Sequence, residues 1–288
     1  MQPAPDNKLA VEMEKILLGR IASGRIVAPG MPAVATKCVT ALRDPKCSIK
    51  RLAEIVEGDP LLATQVLRAA NAAANGAGGI RTLEQAIGRI GNNQLKIVAI
   101  EYAAHTMFES DNRKIAEANK RLWEHSLAVA LLARDISALI NASEPDTCYL
   151  AGLLHDIGKP IVGAMLLEAE RQLGRKVPAW LDVTAWNGIV DSIHRKVGST
   201  LANAWKLGPD IVAAIADSND YDPGERKCTA NVVRFANAIA KREGYAAGPI
   251  DVADLEAMIM VGQSMLGADE ELITRLTNGL KTRLGRTD

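Results

Sequence analysis

Aromatic side chains are scarce in this chain of 288 residues: Trp, Tyr and Phe together make up 3% of it. Alternating β-branched runs are missing as well, which removes the usual material of a sheet core. The four cysteines, Cys38, Cys47, Cys148 and Cys228, show no CxxC spacing, so the pattern excludes both a disulfide framework and a thiolate zinc site. Nor is there an excess of either charge. Lys plus Arg and Asp plus Glu number 34 each, and no overall field draws nucleic acid or anionic lipid to the molecule. No run of about 18 apolar residues is present to span a bilayer. The start, Met1-Gln2-Pro3-Ala4-Pro5-Asp6, lacks the basic-then-apolar order of an export signal. These absences predict a cytoplasmic protein without a membrane partner.

What remains is rich in alanine, leucine and isoleucine at three- and four-residue spacing, within a chain that is 48% hydrophobic. That period predicts an all-α protein with a substantial core, a multi-helix bundle. Helix starts are readable at Asp59-Pro60, at Thr82 with Gln85 as a capping box, and at Asp251 with Asp254. Gly91, Gly158 and Gly208 read as helix stops. An amphipathic helix is expected within residues 1–27, its stripe formed by Leu9, Met13, Ile16, Leu17 and Ile21. A smaller helical subdomain is expected over 28–110, a longer helical core over 121–244, and helices packing on that core over 245–288. The polar stretch Glu109-Ser110-Asp111-Asn112 marks the boundary between the two groups.

His125 falls in register with Leu122, Val129, Leu132 and Ile136 on a helix from Arg121 to Ile140, so its ring faces the core. Alone it would read as a neutral core histidine bonded to a carbonyl. It is not alone: Leu153-Leu154-His155-Asp156-Ile157-Gly158-Lys159 places a vicinal His-Asp pair in an apolar helical segment. A buried carboxylate there needs hydrogen bonds, a cation or a proton. Adjacent imidazole and carboxylate groups joined by a second His can hold one divalent cation. His194 shares a face with Val190, Val197 and Leu201 in a helix from Val183 to Lys206 and also points inward. His105, beside Val98, Tyr102 and Phe108, reads as packing.

From about Ala28 to Gly244 the sequence resembles the HD superfamily of phosphohydrolases, and more closely the HD-related output domain, HDOD. The resemblance rests on Pro29 to Val34, on Asp59-Pro60-Leu61-Leu62-Ala63-Thr64-Gln65-Val66-Leu67-Arg68-Ala69-Ala70-Asn71 and on Ile80 to Ile90. It continues in Trp123-Glu124-His125-Ser126, in Ala151 to Gly158, and in His194 through Gly198 to Trp205-Lys206-Leu207. It implies an HD-like helical core preceded by a smaller helical subdomain. It also implies a metal set of a His, the His-Asp pair and a later Asp, matched here by His125, His155, Asp156 and Asn237. The neutral amide at Asn237 removes one negative charge, so the metal site reads as vestigial or weak. Of the extra histidines of the HD-GYP phosphodiesterases, His194 matches one. The expected His-His pair after Ile215 reads Ser218-Asn219, and the GYP sequence is missing. Lys159, in the place of a lysine typical of active HD-GYP enzymes, would meet a phosphate, and Asp217 is a further candidate ligand.

The resulting expectation is a non-catalytic bacterial signalling domain, as in response-regulator output, that works by contact with a protein partner or as a homodimer. It needs no cofactor, or iron, manganese or zinc if the site is functional. No residue is assigned to catalysis or to DNA binding. One alternative is a metal-dependent phosphohydrolase or phosphodiesterase using His125, His155 and Asp156. Another is helix-turn-helix binding of DNA through residues 48–71, where Thr64, Gln65, Arg68 and Asn71 would face the duplex. Glu54, Glu57 and Asp59 weaken the basic footprint that this requires, and nucleic acid is not the expected partner.

Overall fold

The computed structural model describes residues 11–12, 14–19, 23, 30–73, 79–173, 183–216 and 220–285. Among them there is no strand, and the all-α expectation holds. They divide into two compact units, one of residues 30–107 and one combining the described parts of 1–29 and 108–288.

The smaller unit holds α1 (Ala33–Ala41), α2 (Ile49–Glu57), α3 (Pro60–Ala72) and α4 (Leu83–Thr106). Two of its helix starts, at Asp59 and Thr82, are those the sequence marks. Ser48 accepts from the Arg51 amide to open α2, and Thr82 accepts from the Gln85 amide to open α4. Each such cap contributes about 1 kcal/mol. Asp59 caps α3 with Oδ1, accepting from Leu61 and Leu62 at 2.9 and 3.1 Å, while Tyr102 donates to its other oxygen at 2.6 Å. Leu52 and Val56 of α2 and Leu62, Val66 and Ala70 of α3 are buried, and both helices pack on α4. Gly91 interrupts α4 with φ 75°, the break that the sequence places there.

The larger unit contains α5 (Arg113–Ile140), α6 (Pro145–Leu154), α7 (Gly158–Leu173), α8 (Val183–Ala204), α9 (Pro209–Ala216), α10 (Thr229–Ala240), α11 (Val252–Leu266) and α12 (Glu270–Leu284). A π-helical turn, Lys241–Tyr245, follows α10 directly. α5 and α6 are closely packed because Gly152 has no side chain: a Cβ there would lie 2.9 Å from the Ala130 Cα. α10 packs on α5 and α6, α11 on α10, α12 on α5, and α7 on α8. Pro145–Gln172 has the length and mean hydropathy, 1.4, of a membrane-crossing segment, yet 72% of its apolar window is buried and a turn at His155–Ile157 divides it. Those are the properties of a central bundle element.

Two glycines differ from the sequence reading. Gly158 starts α7 rather than ending a helix, and Gly208 lies in the loop before α9, where Lys206 supplies the left-handed turn (φ 54°) after α8. Of the amino-terminal stripe, Leu17 is buried whereas Ile16 is exposed; Leu9, Met13 and Ile21 lie outside the described residues.

Candidate metal centre

The turn between α6 and α7 carries His155 and Asp156, so the pair sits between two helices and not within one as the sequence pattern predicts. Gly158 fixes this turn. A Cβ on it would come within 1.8 Å of the His194 carbonyl oxygen, so α7 and α8 meet here only because residue 158 has none. Gly198, one turn further along α8, makes room for the Gly158 amide in the same way, at 3.4 Å. His125 arrives from α5 and His194 from α8, both buried.

Backbone carbonyls set the three imidazoles. His125 Nδ1 lies 2.8 Å from the Tyr245 carbonyl, and His155 Nδ1 lies 2.7 Å from that of Gly152. His194 Nδ1 lies 2.9 Å from the Asp191 carbonyl and 3.1 Å from that of Val190. A carbonyl only accepts, so each Nδ1 carries a proton, and in neutral His125 and His155 the Nε2 is left bare. The Nε2 atoms of all three rings converge on Asp156. His155 and His125 face Oδ2 at 3.5 and 3.9 Å, and His194 faces Oδ1 at 3.5 Å.

The Nε2 atoms of His125 and His155 are 3.3 Å apart with no proton to share. Protonation does not relieve this at neutral pH. Burial, and then repulsion from His155, push the His125 pKa down to about 3, and burial lowers that of His155 as well. A cation does relieve it. Two nitrogens bound about 2.1 Å from one tetrahedral ion are about 3.4 Å apart, and the donor atoms of His125, His155 and Asp156 all lie within 4.8 Å of one another. Asn237 adds an Oδ1 that is buried without a hydrogen-bond partner. The residues present therefore fit a single divalent ion held by His125, His155 and Asp156, with Asn237 as a neutral fourth donor.

Asp156 stays ionised. Burial disfavours its charge, but the groups around it, the Lys159 ammonium 2.8 Å from Oδ2 among them, hold its pKa well below the usual carboxylate range. His155, Asp156, His194 and Asn237 line a cavity of about 670 Å³ together with Lys159, Asp191, Arg195 and Lys241.

The sequence-selected residues His125, His155, Asp156, Lys159, His194 and Asn237 are thus brought together, all in the larger unit. Asp217, with Ser218 and Asn219, lies outside the described residues. His105 is exposed in the smaller unit. Lys241 was not anticipated, although its position four residues after Asn237 on the same helical path gave a usable signal. The Tyr245 carbonyl gave none. It depends on the π turn and on Gly244 at φ 83°. Of the segment weighed for DNA, α2 and α3 do form two successive helices. Asn71, however, is used within the fold: its Oδ1 accepts from the Ile80 amide at 2.9 Å and its Nδ2 donates to the Ile80 carbonyl at 3.2 Å.

Residues 28–221 match the profile of the HDOD domain. The fold is shared with a protein of Shewanella amazonensis SB2B provisionally named a metal-dependent phosphohydrolase (22% identity, TM-score 0.71, covering 96% of this chain and 98% of that one). An HDOD domain protein of unknown function from Geobacter sulfurreducens is similar at 21% identity and TM-score 0.59, covering 94% of this chain and 98% of that one. A protein of Marinobacter aquaeolei VT8, provisionally named a signal transduction protein, aligns at 19% identity and TM-score 0.60 over 90% of this chain and 58% of that one. No curated protein matches the chain significantly.

Proposed function

The chain belongs to the HDOD domain family, and from that premise we propose that it is a signal-transduction module acting through contact with a protein partner, its HD-type centre a weak site for one cation that does not hydrolyse phosphoesters. The observation that carries this reading is the charge of the donor set. Asp156 is the sole carboxylate in the His-His-Asp group among the described residues, Asn237 is neutral, and the Lys159 ammonium already offsets Asp156 at 2.8 Å. The formal charge of these groups is therefore zero, where the resemblance implies two carboxylates. A divalent ion bound by His125, His155 and Asp156 would supply Lewis acidity and a water of lowered pKa. The chain's own residues hold the imidazoles in their Nδ1–H form and keep Asp156 ionised, and they present an open cavity beside it. The neighbour named for signal transduction supports the regulatory part of the reading.

A second reading, metal-dependent phosphohydrolysis, is favoured by the convergence of three imidazole Nε2 atoms on Asp156 beside a cavity of about 670 Å³. It is also in line with the name of the Shewanella relative. Elemental analysis and a phosphodiester assay of tag-free protein separate the two. Substoichiometric metal and no turnover in the wild type, with a gain of metal in Asn237→Asp and its loss in His155→Ala, are expected. Turnover by the wild type that disappears in both His155→Ala and Asp156→Ala would establish the enzyme instead. Sedimentation of the purified chain distinguishes a homodimer from a monomer that awaits a different protein.

A further inference from the structure

Three groups face Asp156 Oδ2. The His155 and His125 Nε2 atoms stand 3.5 and 3.9 Å away, whereas the Lys159 ammonium stands 2.8 Å away. The shortest of these contacts is the one made by an ammonium, that of Lys159. This oxygen is also the one that the two bare nitrogens flank. We propose that Lys159 is an intramolecular cation that holds the centre in a metal-free state, and that a divalent ion enters only by displacing it. The inference rests on the reading of His125, His155 and Asp156 as a cation site.

The geometry supports competition rather than coexistence. Lys159 is the second residue of α7, and its backbone cannot drift, because Gly158 is wedged between the His194 carbonyl and Gly198. The stem is therefore fixed near Asp156 while the long side chain remains 28% exposed at the cavity. An ammonium that leaves Asp156 has room to move and another carboxylate, Asp191, along the same lining. Lys241 places a second cation on that lining, and repulsion between it and Lys159 favours keeping Lys159 on the carboxylate.

Replacement of Asn237 by a carboxylate would change the contest, since an arriving ion would meet net negative charge. With Asn237 in place, the ion meets a neutral Asp156–Lys159 pair and gains little until the lysine leaves. Occupancy then becomes a two-position device: without metal the Lys159 charge is spent on Asp156, and with metal it projects into the cavity. The charge presented there changes by two units for each ion bound.

The test uses Co2+ as the probe, followed by its d–d absorption, on the full chain. Lys159→Met and Lys159→Gln are expected to bind Co2+ roughly 10- to 100-fold more tightly than the parent, the equivalent of one charge-assisted hydrogen bond. Lys159→Arg, which keeps the cation, is expected to bind as the parent does. Helical circular dichroism confirms that each variant is folded, and the glutamine variant retains a hydrogen-bond donor if the methionine variant does not fold. Equal or weaker binding in the uncharged variants overturns the competition. The site itself is assessed in the Asn237→Asp background: Co2+ binding that His155→Ala abolishes upholds it, whatever Lys159 does. No Co2+ binding in any variant, Asn237→Asp with Lys159→Met included, overturns both the site and the inference.

Discussion

His125 carries no charge in the folded protein at neutral pH, and this has a consequence for stability. Its pKa falls from 6.5 to about 3 because burial removes the water that would solvate an imidazolium. Between those values the unfolded chain binds a proton that the folded chain does not, so stability rises with pH through this window and is lost as pH falls below 6.5. His155 shifts in the same direction, and so does Asp156, whose contribution disappears at lower pH still. Urea denaturation in chelator is therefore expected to show a protein at least about 2 kcal/mol less stable at pH 5.0 than at pH 7.5, the contribution of His125 alone. Equal stability at the two values would mean that the ring is solvated. The members of this centre were legible in sequence because His125, His155, Asp156 and Asn237 carry their chemistry in their side chains. What holds them was not. The carbonyls of Tyr245, Gly152 and Asp191 set the tautomers, and a carbonyl is common to every residue.

At the scale of helices, the α6–α7 turn is the element that makes the centre, and a glycine decides it. Gly158 reads equally well as the stop of one helix or the start of the next, since local sequence does not reveal that α8 passes 1.8 Å from where its Cβ would be. Helix existence and the starts at Asp59, Thr82 and Asp251 were legible, because such caps act within four residues, whereas the helix read from Arg121 begins at Arg113. Close approaches between distant helices were not. Gly158→Ala must push the His194 carbonyl aside, and a stability loss of about 3 kcal/mol or more is expected, with loss of any bound metal. Gly163 provides the control. It lies in the same helix with nothing within 4 Å of an added Cβ, so Gly163→Ala is expected to gain up to about 1 kcal/mol from reduced freedom of the unfolded chain. Thermal denaturation of the two variants side by side gives the comparison, and similar melting points would remove the steric argument for Gly158.

At the scale of the whole molecule, every donor of the candidate centre among the described residues belongs to the unit that contains residues 108–288. The smaller unit has its own organising polar contact, Tyr102 Oη donating to Asp59 at 2.6 Å, with the remaining Asp59 oxygen capping α3. Burial tends to raise the Asp59 pKa, but this hydroxyl and the Leu62 and Leu61 amides outweigh it and hold the carboxyl below its ordinary value. Because Asp59 is only half-buried, water can replace part of the lost bond. Tyr102→Phe is therefore expected to cost about 1 kcal/mol, less than a fully buried charged hydrogen bond would. If the centre is self-contained, the same substitution leaves Co2+ affinity and the ring resonances of His125 and His155 unchanged. A shift in those resonances would show that the centre is not self-contained.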